Sequence, residues 1–220
     1  MDLFNDLTVK LESYCLLKHN FYHDWNNGKL SLHVVRKYTK QYYHHVAAFP
    51  RYISLIHSQC EDLSVRQVLL ANLMEEEQGE DNHPELWLRF AEGLSINREE
   101  VKNDDLLKQT SALINGYFDL CQESFATGLG ALYAYEKQIP KVAQSKIYGL
   151  KNFYGMDQER SLRYFNVHLN IDQIHTKECK TLIDQLSIKQ QKLAYEGAVF
   201  GAKLLWQFLD GIQEYNLSLH

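Results

Sequence analysis

The chain has 220 residues, 45% of them hydrophobic and 23% charged, which is the make-up of a globular protein able to bury a sizeable core. A net charge of −5 without a long Lys/Arg run gives no footing for nucleic acid, and no apolar run approaches the roughly 18 residues of a membrane span. The acids in MDLFNDLTVKLE speak against a secretory signal, and Cys15, Cys60, Cys121 and Cys179 form no CxxC pair, so reduced thiols in a cytoplasmic protein are expected.

Apolar residues recur at three- and four-residue steps through most of the chain, and no alternating strand pattern competes with them. The stretch LFNDLTVKLESYCLLKH predicts the first helix. WNNGKLS reads as a turn, with Ser31 capping a long helix that begins LHVVRKYTKQYYHHV. LSVRQVLLANLMEEEQ predicts another, with Ser64 as its N-cap and Gly79 near its end. A short helix, ELWLRFAEGL, follows Pro84, and LSINREE reads as a cap and restart. Residues 105–127 and 129–151 predict two helices around Thr127 and Gly128, and residues 157–185 and 188–214 predict the last two. With no linker, repeat or low-complexity tract, the expectation is one all-α domain over residues 1–220.

Three segments carry residues that suit a metal. In HLNIDQIH, an unbroken helix would put Asp172 about 40° and His175 about 20° from His168, on one stripe. In EEEQGEDNHPELW, Glu76 and His83 are two turns apart, although Gly79 and Pro84 warn of a local unwinding that would still let both point inward. Glu75, Glu77 and Glu80 read as a solvated helix end. In ALYAYEKQIPKVAQSK, Glu136 lies among Leu132, Tyr133, Tyr135 and Ile139, and Pro140 deprives its carbonyl of the usual helical partner.

Helical bundles build carboxylate-bridged di-metal sites from such side chains, though the familiar Glu-x-x-His spacing is absent. Glu76, Glu136 and Asp172 would bring three negative charges against the four positive charges of two divalent cations, leaving one for a bridging hydroxide. Without cations, three buried carboxylates would each cost several kcal/mol or stay protonated. Imidazole and carboxylate donors favour iron or manganese, whereas zinc more often takes fewer ligands or thiolates.

The strings FYHDWNNGKL, YTKQYYHHVAAFPRYISLIHSQCEDL, NLMEEEQGEDNHPELW, ALYAYEKQIPKVAQSK and HLNIDQIH agree in order and spacing with one family. Over about residues 10–185, the chain resembles the chlamydial death-domain-associating branch of the haem-oxygenase-like di-metal oxidases. That family has seven-helix bundles, and its fold is shared with pyrroloquinoline-quinone synthase and thiaminase-like proteins. The resemblance implies p-aminobenzoate synthesis for folate, with O₂ as co-substrate and two divalent metals, iron or a manganese–iron pair. It places Glu76, His83, Glu136, His168, Asp172 and His175 on the metal ligands. By the same resemblance Tyr22 is the tyrosine sacrificed as ring source, Tyr38 and Tyr135 line the site, and Lys146 supplies the amino group. A homodimer is implied too, but the family's death-domain-binding C-terminal region has no clear counterpart here.

On the residues alone, Tyr22, Tyr38, Tyr42 and Tyr43 could equally be packing tyrosines with bonded hydroxyls. Lys146 falls ten residues after Glu136, near a common helix face, and an inward lysine there would hold a depressed pKa and a free amine. Two other functions stay open. One is an oxidase or thiaminase-type enzyme acting on an external small molecule, for which Cys121 is the best-placed nucleophile. The other is a non-catalytic binding protein whose six polar residues only specify its core.

Overall fold

The computed structural model describes residues 3–169 and 171–218, with the side chains of residues 3–5 and 171–173 left out. The described residues are helical with no strand, in twelve α-helices rather than the seven expected. These are α1 (Leu3–Glu12), α2 (Asn20–Asn26), α3 (Leu32–Ser58), α4 (Leu63–Glu77), α5 (His83–Gly93), α6 (Arg98–Lys102) and α7 (Lys108–Glu123). They continue with α8 (Phe125–Glu136), α9 (Ile139–Phe153), α10 (Glu159–His168), α11 (Ile171–Asp184) and α12 (Ile188–Leu217). Two of the extra helices come from breaks within runs expected to be single helices, dividing α8 from α9 and α10 from α11.

Local hydrogen bonds explain where those breaks fall. The first predicted helix ends at Glu12, and a 3₁₀ turn at Leu16–Lys18 leads to His19, whose ring accepts from the Phe21 N–H to cap α2. Ser31 caps α3 as expected, accepting from Val34 N at 3.3 Å. Ser64 does not cap α4. Asp62 does, its carboxylate taking the N–H groups of Ser64 and Val65 at 2.8 and 3.1 Å, where an acid also favours the positive helix end. The predicted boundary at Thr127 and Gly128 moves upstream, because the Ser124 hydroxyl accepts from Thr127 N at 3.1 Å and starts α8 there. The expected helices 129–151 and 157–185 are each divided, the first between Glu136 and Ile139, the second after His168.

Buried apolar side chains form one contiguous cluster, with Trp25, Trp87, Tyr22, Tyr38, Tyr52 and Tyr117 among its largest fully enclosed members. At its centre every residue of α8 from Ala126 to Glu136 is buried. Glycine makes this possible, since a Cβ at Gly130 would sit 1.9 Å from the Ala194 carbonyl oxygen and one at Gly197 would sit 2.1 Å from that of Thr127. Helices α8 and α12 therefore touch backbone to backbone, and α8 delivers Glu136 to the interior. Among the described residues no helix is long and apolar enough to cross a membrane.

Candidate metal centre

Helix α4 ends one residue after Glu76, and α5 starts at His83. Between them Gln78 is extended, Gly79 takes φ +79°, and Asn82 accepts from Glu85 N while donating to the Gly79 carbonyl. The helix does not persist through this segment; the local unwinding that Gly79 and Pro84 suggested is present, and both side chains still point inward. Glu76 Oε2 and His83 Nδ1 lie 2.6 Å apart, both residues buried. The His168 ring centre lies 4.4 Å from that of His83, the two rings tilted by 45°, and one donor atom from each of Glu76, His83 and His168 falls within 4.8 Å of the others. Burial works against the His83 imidazolium, but Glu76 outweighs it and holds the pKa above its ordinary value. Burial, then the neighbouring His83, pushes His168 well below its own.

Glu136 is only 1% exposed and accepts from Asn72 Nδ2 at 3.3 Å. His175 approaches it from α11, with Nδ1 3.8 Å from Glu136 Oε1 and Nε2 3.1 Å from Glu75 Oε2. Thus Glu76, His83 and His168 form one group, and Glu136 and His175 the other. The single stripe expected of HLNIDQIH is not formed, since His168 closes α10 and His175 belongs to α11. Asp172 falls within α11, but its side chain lies outside the described residues.

These side chains fit a pair of cations on two counts. His175 Nδ1 and Asn72 Oδ1 are buried without a hydrogen-bond partner, beside a fully buried carboxylate. Glu76, Glu136 and His168 also sit in the last turns of α4, α8 and α10, so the negative ends of three helix dipoles converge there. Oxygen and imidazole donors of this kind suit iron or manganese.

The resemblance-derived residues form an adjoining cluster. Lys146, on α9 and 3% exposed, donates from Nζ to Tyr38 Oη, and its Nζ lies 4.6, 4.8, 5.3 and 5.5 Å from the ring centres of Tyr38, Tyr42, Trp87 and Phe165. Burial drives its pKa well below the ordinary value. Tyr42 donates to Tyr135 Oη at 3.2 Å. Burial raises the pKa of Tyr22, Tyr38 and Tyr135 well above the usual phenol value, so all three stay protonated. A narrow cavity lined by Tyr42, Tyr135, Lys146, Tyr164 and His168 joins this cluster to the candidate ligands. Lys146 does not share a helix face with Glu136, because α8 ends before α9 begins.

Sequence reasoning missed Asn72, Tyr164 and Glu75. The first two stand four residues before Glu76 and His168, a same-face spacing that could have found them. The Tyr164 carbonyl takes the Nδ1–H of His168 at 2.6 Å, leaving Nε2 free to ligate. Glu75 is no mere solvated residue, whereas Glu77 and Glu80 are exposed as expected. Cys121 is buried and its thiol is pushed up to about 12 by desolvation, which disqualifies it as a ready nucleophile.

Residues 36–209 match the family model described as iron-containing redox enzyme. The chain is 37% identical over 221 residues to the 4-aminobenzoate synthase of Chlamydia muridarum, covering 100% of this chain and 94% of that protein. It is 38% identical over 216 residues to the 4-aminobenzoate synthase of Nitrosomonas europaea, covering 93% and 88%. In fold it is similar to a Shewanella denitrificans domain of unknown function with a haem-oxygenase-like fold, at TM-score 0.82, 18% identity and coverage of 99% and 93%. A CADD-like protein of unknown function from Nostoc punctiforme superposes at TM-score 0.75, with 19% identity and coverage of 96% and 97%.

Proposed function

The chain belongs to the family of iron-containing redox enzymes, and from that premise we propose that it is an oxygen-dependent 4-aminobenzoate synthase that consumes its own side chains. Relatives bearing that activity as their name match it over at least 88% of their own length, which supports the same product here. Glu76, His83 and His168 would hold one cation, and Glu136, His175 and Asp172 the other; an iron or manganese–iron pair bound there would supply the capacity to activate O₂.

The observation that carries the reading is Lys146, an amine buried in a cavity it shares with His168, where desolvation disfavours its charged form. A neutral amine has the lone pair that a nitrogen donor needs, and the rings of Tyr38, Tyr42, Trp87 and Phe165 keep water from it. Oxidising a buried phenol requires somewhere for its proton to go. Tyr38 Oη meets the Lys146 nitrogen, and a deprotonated amine turned to present its lone pair would take that proton from the Tyr38 hydroxyl. Tyr22 is assigned as the ring source and Lys146 as the source of nitrogen, with Tyr38 standing between them to move the proton. Tyr135, bonded to Tyr42, lines the same cavity as Lys146 and His168. The cytoplasmic homodimer implied by the family belongs to the same reading.

The test is anaerobic loading with Fe(II), exposure to air, and mass spectrometry of both product and chain. At most one 4-aminobenzoate per chain is expected, with a mass loss that maps to the peptide containing Tyr22. Repeated turnover of an added small molecule by a chain of unchanged mass would instead establish an external substrate.

A further inference from the structure

We infer that Glu75 positions His175 for the metal centre, selecting which imidazole nitrogen is left to ligate. Glu75 and Glu76 are neighbours on α4, about 100° apart around the helix, so one reaches the interior while the other stays at the rim. Glu75 is 45% exposed there, and its Oε2 lies 3.1 Å from the Nε2 of buried His175. The contact is an ion-pair approach, and because a carboxylate only accepts, a neutral imidazole facing it is favoured with its proton on Nε2 and its lone pair on Nδ1. Nδ1 is the buried nitrogen with no hydrogen-bond partner, 3.8 Å from Glu136 Oε1.

The ring therefore stands between an outer carboxylate facing Nε2 and an inner one beside which a cation would bind. Glu75 acts through His175 and does not itself touch that inner position. His168 is arranged in the opposite sense, with Nδ1–H given to the Tyr164 carbonyl and Nε2 left over. The two histidines thus present different nitrogens, each fixed by a partner outside the donor set. A carboxylate behind a ligating imidazole raises its basicity as well as fixing its tautomer. The role rests on the two-cation reading above, and the experiment separates the two.

Long-range proton–nitrogen NMR of the metal-free, ¹⁵N-labelled chain reads the His175 tautomer, assigned by its loss in His175→Gln. The Nε2–H form is expected in the parent and in Glu75→Gln, whose amide oxygen still accepts, with the Nδ1–H form appearing in Glu75→Ala. An Nδ1–H tautomer in the parent would overturn the proposal. Titration with Co(II), followed by its visible absorption, then reads binding. Glu75→Ala should weaken one of two ions by about 10- to 100-fold and leave the other unchanged, with Glu75→Gln restoring most of the loss. Two ions bound by Glu75→Ala at parental affinity would overturn the role of Glu75 alone. A parent chain that binds fewer than two would overturn the two-cation reading.

Discussion

Glu76 Oε2 and His83 Nδ1 meet at 2.6 Å across the break between α4 and α5, so the two candidate ligands share a proton. A cation bound at His83 Nδ1 must displace that proton. Against the effect of burial, Glu76 holds the His83 pKa above 6.5; the pair's contribution to the stability of the metal-free chain is therefore full below 6.5 and lost as pH rises through the raised pKa. Metal affinity should move the other way and increase with pH over that window. Calorimetry of Co(II) binding in buffers of different ionisation enthalpy should register the released proton, and an affinity that ignores pH would contradict the shared-proton arrangement.

Replacing Lys146 separates chemistry from folding. Its folded pKa lies well below the ordinary 10.5, so the unfolded chain binds more protons and stability rises with pH up to about that value. Lys146→Met should abolish 4-aminobenzoate while leaving the bundle folded. Its stability relative to the parent should be greater near neutral pH than at about pH 10, where the unfolded lysine itself begins to lose its proton. Urea denaturation at the two pH values checks the sign.

The contact between α8 and α12 leaves no room for a methyl group. With a Cβ at Gly130 placed 1.9 Å from the Ala194 carbonyl oxygen, Gly130→Ala must push the two backbones apart. A loss of about 1–3 kcal/mol or more is expected from such overpacking. Because Glu136 ends the same helix, Co(II) affinity should fall with it. Urea midpoints and metal titration of one preparation measure both effects.

The start of α4 gives a cheaper comparison. Asp62→Ala should cost about 1 kcal/mol, the usual loss for a helix N-cap, whereas Ser64→Ala, lying inside the first turn, should cost only a few tenths. Thermal denaturation of both variants distinguishes the two positions, and equal losses would return the cap to Ser64.

The helical class and most helix centres are readable because burial imposes a period on the apolar residues, and that period survives in α3, α9 and α10. Helix ends were less legible. Asp62 and Ser124 won their caps by hydrogen bonds that composition only weakly foretells, and at 168–171 the periodic pattern runs straight across a break. Glu76, His83 and His168 nevertheless come together in one buried group and Glu136 and His175 in another, without the unbroken stripe that the spacing suggested. Glu75 was illegible for a simple reason: a half-exposed acid in an EEE run looks like any other until His175, a hundred residues on, is seen beside it.

Four of those side chains, Glu76, His83, Glu136 and His168, stand at or next to the residue where a helix stops or begins. Helix ends fray more readily than helix centres. Ions gripped there would act as rivets through the loose ends of α4, α5, α8 and α10 at once. Loading would then tie together four helices at their ends, and the same grip would shelter the amine and phenols beneath from bulk water.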